Sequence, residues 1–482
     1  MRLSELLCDQ TFPAGLAQDT KITGLTADSR HVRPGYVFAA FQGDAQNGAD
    51  FVDDAKQRGA CLVLAGAKLK TDLPVLITQK PRLKFAKLAA RFFEYMPPHI
   101  VAVTGTNGKT SVAEFYRQIA THLSVPAASL GTMGLIAPTD IGTSLHTTPD
   151  PVALHQLLRD LYFSGVTHLA MEASSHGLDQ YRMDGVVPKA AAFTNITREH
   201  LDYHKTEKAY LAAKARLFTD LLDTQGQAVV NIDGAGAEDL LSLIEPHVGA
   251  LLKVGTHEDA DLRAFDIEQT PHGLQFQLAY AGTLAPVQLA LVGGFQVENI
   301  LCAVGLALAT GFDFQDVVSC LPNLIGATGR MEKIGLSENG AAIFVDYAHT
   351  PDALEKALTH LRSHCAGQLI CVFGCGGDRD AGKRPQMGAV AAKHADVVIV
   401  TDDNPRHEEP SAIRAEILAA CPNAQNIGNR GAAIAEAMAQ AQAGDLVLVA
   451  GKGHEIGQII GDNTITFSDH HEIRKNLRRG AA

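Results

Sequence analysis

Twelve consecutive residues, Ile100-Val-Ala-Val-Thr-Gly-Thr-Asn-Gly-Lys-Thr-Ser111, restrict the fold more than any other stretch of the chain. Ile100 to Val103 form an apolar, β-branched run of the kind buried in the middle of a parallel sheet. Gly105 and Gly108, with Thr106 and Asn107 between them, permit a tight turn whose N–H groups converge on one anion, and a following helix adds the positive end of its dipole. Lys109 is placed to reach outer phosphates, Thr110 to offer a hydroxyl to magnesium, and Ser111 completes the loop. Val112, Phe115, Ile119 and Leu123 then recur at helical spacing. Strand, loop and helix in this order imply use of a nucleoside triphosphate. The usual loop has its first glycine where Val103 stands, so the alternative is a strand-to-helix turn with a chance Gly-Lys-Thr.

A chain of 482 residues is long enough for about three domains, each with its own core. No apolar run approaches the ~18 residues of a membrane span. The start, with Glu5 and Asp9 between short apolar runs, is unlike a signal peptide, and a cytoplasmic location is expected. The formal net charge of -12 gives no electrostatic help to nucleic-acid or anionic-membrane binding, so an anionic small substrate must be held by local basic residues. The eight cysteines include no Cys-x-x-Cys pair, and buried reduced thiols are expected.

Residues 1–97 alternate short apolar segments with polar turns and predict a small α/β domain. Thr26-Ala27-Asp28-Ser29-Arg30 and Gln42-Gly43-Asp44 are either turn chemistry or ligand loops. Pro97-Pro98 marks a linker. In the central domain, 98–326, His146-Thr147-Thr148-Pro149-Asp150 is a hydroxyl-rich loop, a helix cap, or both. Leu169 to Glu172 predict a strand ending on a carboxylate, which is either a magnesium ligand or a cap. His200 and His204 lack a third ligand at zinc spacing. Leu211, Ala215, Phe218 and Leu222 predict a helix from about Glu207 to Leu222. Lys214 lies about 60° off the centre of that face, ordinarily the place of a snorkelling surface lysine. Val229 to Asn231, Phe265 to Ile267, Leu274 to Leu278 and Val287 to Leu291 predict an antiparallel flap. Asn299 follows Gly293-Gly294 at the start of an apolar helix. Beyond a hinge at Gly326 to Gly329, residues 327–482 carry four buried strands alternating with helices, a doubly wound sheet. Loops at their carboxyl ends hold Asp346 and His349, then Gly376-Gly377-Asp378-Arg379, then Asp403-Asn404-Pro405-Arg406, then Gly451-Lys452-Gly453-His454-Glu455, the edge where such sheets bind ligands.

The loop Gly105 to Ser111, Glu172-Ala-Ser-Ser-His-Gly-Leu178, Thr197-Arg198-Glu199-His200-Leu-Asp-Tyr-His204 and Ala212-Ala213-Lys214 together resemble the Mur ligases along essentially the whole chain. Folylpolyglutamate synthetases share the loop but lack the first domain. The resemblance implies an α/β protein of three domains: a small uridine-binding domain, a central phosphate-loop ATPase-like domain and a Rossmann-like third domain. It implies an ATP-dependent amide ligase adding meso-2,6-diaminopimelate to UDP-MurNAc-L-Ala-D-Glu through an acyl phosphate. A lysine-adding relative, a folylpolyglutamate synthetase-like ligase and a non-catalytic nucleotide switch are the rivals. Carried over residue by residue, the catalytic set is Lys109, Glu172, His200 and Lys214. ATP falls to Gly105 to Ser111, Asn299, Arg330, Asp346 and His349, and the muramyl substrate to Ala27, Ser29, Thr147, Thr148, Ser174, Gln180 and Arg182. Diaminopimelate falls to Arg379, Asp403, Asn404, Pro405, Arg406, Gly451 and Glu455. Mg2+ is implied at Thr110, Glu172, His200 and Lys214, the last as a carbamate formed from CO2. His146 stands where relatives can have asparagine. No nucleic acid, membrane insertion or partner chain is implied, and a monomer is expected. Arg406, presented after a proline, can bind a distal carboxylate bidentately, which diaminopimelate has and lysine lacks.

Overall fold

The computed structural model describes residues 1–8, 12–13, 15–43, 47–139, 147–197, 199–270 and 273–479. Asp9, Asp44, His146 and Arg198 from the sequence reading therefore lie outside the described residues. The chain divides into two compact units, Met1–Arg263 with Glu298–Val317, and Ala264–Val297 with Val318–Ala482. Among the described residues no helix is long and apolar enough to cross a membrane.

The first unit contains two sheets. The amino-terminal one is parallel, in the order β1 (Gly24–Thr26), β2 (Tyr36–Ala40), β3 (Ala60–Ala65), β4 (Val75–Ile77). The larger is built from β5 (His99–Thr104), β6 (Ala127–Gly131), β7 (Gly134–Ile136), β8 (His168–Glu172), β9 (Ala190–Phe193), β10 (Gln227–Asn231) and β11 (Ala250–Gly255), in the order β11-β10-β9-β5-β8-β6-β7. Ile100 to Val103 are at most 1% exposed, since both faces of β5 are covered, which is why the run carries no polar alternation. Val103 pairs with Glu172, so the carboxyl ends of β5 and β8 lie side by side.

Helix Pro151–Phe163 covers one face. Asp150 accepts hydrogen bonds from the N–H groups of Val152 and Ala153, and Pro151 fixes the first helical φ. Leu154, Leu158 and Leu161, spaced along one stripe, join Ile100, Leu169 and Phe193 in the core. Burying each such leucine contributes roughly 1.5–3 kcal/mol.

The antiparallel flap is partly corrected. β10 pairs in parallel with both β9 and β11 inside the sheet, because the chain crosses over through helix Glu207–Arg216 between β9 and β10 and through helix Ala237–Ile244 between β10 and β11. The strand β12 (Leu262–Thr270) also starts in parallel with β11. Of the expected flap, β13 (Gly273–Tyr280) and β14 (Thr283–Leu289), in the second unit, form an antiparallel hairpin. The helix predicted to Leu222 is α-helical over Glu207–Arg216 and continues as a π-helical turn, Leu217–Leu221, with Leu222 N–H donating to Leu217 O.

In the second unit all four expected strands form, as β16 (Ala342–Asp346), β17 (Leu369–Phe373), β18 (Val397–Val400) and β20 (Leu446–Ala450), joined by edge strands β15 (Glu332–Leu336) and β19 (Gln425–Asn426). The order is β15-β16-β20-β17-β18-β19, with β15 antiparallel. Phe344, Cys371, Phe373 and Leu448 face one helical layer, and Ile343, Val345, Ile370 and Val447 the other, as alternation in a doubly covered sheet requires.

Candidate functional site

The phosphate loop leaves β5 at Thr104, and helix Lys109–His122 begins behind Gly108, whose φ is +86°. A Cβ at Gly108 would collide with Asn299 Oδ1, and one at Gly105 with Thr194 Oγ1, so both glycines answer to close approach. The Thr106 N–H donates to Asn195 O (2.8 Å) and the Asn107 N–H to Asn195 Oδ1 (3.1 Å). Helix Lys109–His122 starts with no side-chain cap from Gly108, so its N-terminal dipole end faces the loop. Lys109 Nζ lies over the loop, donating to Gly105 O (2.9 Å) and Thr106 O (2.8 Å).

Glu172 is 2% exposed and is not a helix cap: Ser174 caps helix Ser175–Asp179 through the Gly177 N–H. The carboxylate accepts from Thr132 N–H (2.9 Å) and Thr132 Oγ1 (3.0 Å). Together with Thr110 it lines a small cavity of ≈ 10 Å³. Glu114 and Ser129 also line it, with the Glu114 carboxylate already accepting from Arg117 and Ser129; the Thr110 hydroxyl and Glu172 carboxylate suit a magnesium ion, which keeps waters and takes phosphate oxygens for its remaining positions. Among the described residues no group of three or more His, Cys, Asp or Glu side chains is gathered in a way that could hold a metal ion. His200 is exposed with φ +56°, its ring edge-on to His176 at 4.8 Å.

Lys214 corrects the surface-lysine reading. It is 1% exposed, donates to Gly105 O at 2.7 Å, and sits 4.5 Å over the Tyr210 ring. The flank of the helix that spacing assigns to solvent is covered by the phosphate loop. Burial drives the ammonium pKa far below its ordinary value, and the Lys109 charge adds to this against Glu199. Tyr210 bonds Thr106 Oγ1 at 3.2 Å, so one helix supports the loop twice. Asn299, expected at a helix start, lies a turn inside helix Phe295–Ala309 and is 5% exposed.

A cavity of ≈ 940 Å³ opens beside the amino-terminal sheet, lined among others by Ala27, Asp28, Arg30, Tyr36, Arg82, Gln180 and Arg182. Asp28 caps the short 3₁₀ turn Ser29–His31, and its carboxyl is drawn down to about 2 by the bidentate Arg30 guanidinium. Ser29 is 6% exposed and does not line the cavity. Since Asp150 caps the next helix, Thr147 and Thr148 have other uses: Thr147 Oγ1 meets Thr132 Oγ1 at 3.2 Å, and Thr148 Oγ1 meets Ser174 Oγ at 3.0 Å and Glu172 O at 3.1 Å. Arg182 donates to Thr148 O (3.0 Å) and Gln180 Oε1 (2.7 Å). Arg182 holds the Thr148 carbonyl and Thr148 Oγ1 holds the Glu172 carbonyl, so the main chain at Thr148 and Glu172 ties a wall residue of the large cavity to one of the small cavity.

In the second unit the predicted loops emerge from the carboxyl ends of β16, β17, β18 and β20. Asp346 accepts from Met331 N–H (2.7 Å) and Ala348 N–H (2.8 Å), and burial raises its pKa against the Arg330 charge. Arg330 lies 4.6 Å over the Tyr347 ring, and His349 Nδ1 is 2.8 Å from Tyr347 O. Arg406, at φ +49°, is fixed by its N–H to Ile459 O (3.0 Å) and by Nη1 to Gly377 O (2.8 Å). Asp403 Oδ1 accepts from the Asn404 N–H (2.6 Å), and Gly451, at φ +113°, leaves room for Asp403 Oδ2. Pro405 is buried and Arg379 exposed. Asn404 Nδ2 donates to Glu455 Oε2 at 3.0 Å. Sequence reasoning passed over Lys452, which is 0% exposed and donates to both Asn404 Oδ1 (2.9 Å) and Glu455 Oε2 (3.1 Å). Its only signal was a lysine between two glycines directly after a buried strand.

Residues 103–307 match the Mur ligase middle domain, residues 329–453 the glutamate ligase domain of Mur ligases, and residues 21–92 the catalytic domain of the Mur ligase family. The UDP-N-acetylmuramoyl-L-alanyl-D-glutamate--2,6-diaminopimelate ligase of Mesorhizobium japonicum is 47% identical over 485 residues, covering 100% of both chains. The protein of the same name from Agrobacterium fabrum is 47% identical over 95% of this chain and 93% of its own. A solved structure of a ligase of that name has a TM-score of 0.75 at 35% identity, covering 100% of this chain and 99% of that one. A Mycobacterium tuberculosis folylpolyglutamate synthase complexed with ADP and AMPPCP shares the fold, with a TM-score of 0.62 at 18% identity over 77% of this chain and 92% of its own.

Proposed function

This chain belongs to the Mur ligase family of ATP-dependent ligases, and from that premise we propose that it joins meso-2,6-diaminopimelate to UDP-MurNAc-L-Ala-D-Glu, as a cytoplasmic monomer. One observation carries the reading. Within one unit, a phosphate loop and the Thr110–Glu172 cavity are connected through Thr148 to Arg182 in the wall of a ≈ 940 Å³ cavity, large enough for a nucleotide sugar.

The glutamyl carboxylate of the substrate attacks the γ-phosphorus of ATP, forming an acyl phosphate and releasing ADP. The amine of diaminopimelate attacks the acyl carbon, phosphate leaves, and the amine gives up a proton. Lys109 and the first-turn amides of Lys109, Thr110 and Ser111 stabilise charge on the transferring phosphoryl group. Thr110, Glu172 and exposed His200 would hold Mg2+, which when bound neutralises the phosphate charge. Lys214 would become a carbamate by attack of its uncharged amine on CO2, with loss of one proton; its burial on Gly105 O supports this, since an ammonium there is poorly solvated. Gln180, Arg182, Ala27, Ser29, Thr147, Thr148 and Ser174 are assigned to the muramyl substrate. Asn299, Arg330, Asp346 and His349 are assigned to the nucleoside of ATP. Arg379, Asp403, Asn404, Arg406, Gly451 and Glu455, with Pro405 presenting Arg406, are assigned to diaminopimelate.

The test is ligation by purified protein with ATP, magnesium and UDP-MurNAc-dipeptide, supplied in turn with meso-diaminopimelate, lysine or no amino acid. The expected result is a tripeptide product by mass and stoichiometric phosphate release with diaminopimelate. Product with lysine at equal efficiency would make the chain a lysine-adding ligase, and phosphate release indifferent to the amino acid would make it a nucleotide switch.

A further inference from the structure

Lys452 is a fully buried cation whose side chain touches two residues assigned to the amino-acid substrate. A lysine at 0% exposure is costly to keep charged unless its N–H groups are used, and a methionine of similar reach would carry no such cost. Its use here is definite. Asn404 Oδ1 accepts from Lys452 Nζ (2.9 Å) and from the Ile459 N–H (3.0 Å), both pure donors. The amide can therefore point only one way, with Nδ2 toward Glu455 Oε2 (3.0 Å), an oxygen that also takes Lys452 Nζ (3.1 Å). The triangle occupies Oε2 and one Nδ2 hydrogen. Glu455 Oε1 and the second Nδ2 hydrogen are what the network offers a ligand: an acceptor suited to an ammonium and a donor suited to a carboxylate. Glu455 is 32% exposed at its side chain, so its carboxylate is reachable, whereas Asn404 is 5% exposed and Lys452 0%.

We propose that Lys452 is a positioning residue that orients Asn404 and Glu455 to read the distal ammonium and carboxylate of the incoming diamino acid. This rests on the diaminopimelate reading above. Lys452 touches no reacting atom; it sets which way an amide and a carboxylate face and lowers the net negative charge that Glu455 presents.

The experiment compares wild-type enzyme with Lys452→Met and Lys452→Gln, measuring KM separately for meso-diaminopimelate, ATP and UDP-MurNAc-dipeptide, together with Tm. Loss of a charge-assisted hydrogen bond should raise the diaminopimelate KM roughly 10- to 100-fold, with the other two KM values within about twofold. A merely structural role would instead lower Tm and shift all three together. Unchanged diaminopimelate KM in a folded variant overturns the proposal. Should both variants fail to fold, wild-type enzyme decides the matter with 2-aminopimelate, which lacks the distal ammonium: a KM at least about 10-fold above that for diaminopimelate is expected, and an equal KM overturns the proposal. Wild-type protein that ligates no diaminopimelate at all overturns the functional reading, and this inference with it, an outcome distinct from failure of the Lys452 variants alone.

Discussion

The amine of Lys214 donates a 2.7 Å hydrogen bond to the carbonyl of Gly105, tying helix Glu207–Arg216 to the phosphate loop. The donor comes from a helix whose next turn widens into a π-helix, and the acceptor from the glycine that starts the loop. Any change of charge on that amine is therefore felt where phosphate binds. Replacing Lys214 by Met removes the amine but keeps the buried volume. Turnover is expected to fall at least ~10²-fold, by analogy with lost electrostatic groups, while Tm stays level or rises because a desolvated amine is gone. Steady-state rates and calorimetry check this, and a ¹³C-carbamate resonance from labelled bicarbonate should appear in wild type and vanish in Lys214→Met. Unchanged turnover would return Lys214 to a structural role.

Gly108→Ala places a side chain at φ +86° and against Asn299 Oδ1. The left-handed conformation costs about 1 kcal/mol and the collision more, so Asn299 or the loop must move. The expected outcome is an ATP KM raised at least about 10-fold, equivalent to ~1.4 kcal/mol, with the diaminopimelate KM little changed. Nucleotide titration by fluorescence measures it directly.

Much of this architecture is legible in the sequence where one physical signal dominates. Ile100 to Val103 read as a buried strand because nothing polar interrupts them, and the four strands of the second unit are equally plain. Spacing fails where tertiary context decides. Lys214 lies on a polar flank by helical geometry, yet that flank is covered by a loop more than a hundred residues earlier in sequence. Val229 to Asn231 look like any short apolar strand, and only the helical crossovers on either side, Glu207–Arg216 and Ala237–Ile244, make their pairing parallel. Lys452 is legible only as one member of a loop at the ligand-binding edge; its burial is not, because its partner Asn404 comes from a different loop and no local pattern announces a buried lysine.

His155 gives the first unit a pH dependence. Its ring is 1% exposed with Nε2 unpartnered, and burial lowers its pKa to about 4 from 6.5. The unfolded chain binds this proton below pH 6.5 and the folded one only near pH 4, so stability is lost as pH falls through that window. The loss is at most about 3 kcal/mol. His168 shifts in the same direction, through burial and the neighbouring His99, so His155→Leu should remove part of the slope between pH 7 and 5, leaving the rest. Urea unfolding at the two pH values reports it, and an unaltered slope would show that His155 does not titrate on unfolding.

Selection of the amino acid should rest on Arg406. Its backbone is held at φ +49° by Ile459, and Nη1 is anchored on Gly377 O, which fixes the plane of the guanidinium before a ligand arrives. A planar fork held in this way suits a carboxylate accepting two parallel hydrogen bonds. Diaminopimelate carries such a group on its distal carbon and lysine does not. Lysine would therefore leave the cation without a partner, the kind of loss that can discriminate analogues by ~10⁴-fold. Arg406→Ala should cost diaminopimelate about 2–5 kcal/mol in kcat/KM while helping lysine little, since removing the cation creates no new contact for it. Arg406→Lys should recover only part of the loss, because a point charge lacks the fork. Measuring kcat/KM for both amino acids across the three proteins gives the answer, and equal use of lysine and diaminopimelate by the unmodified enzyme would remove Arg406 from the selection mechanism.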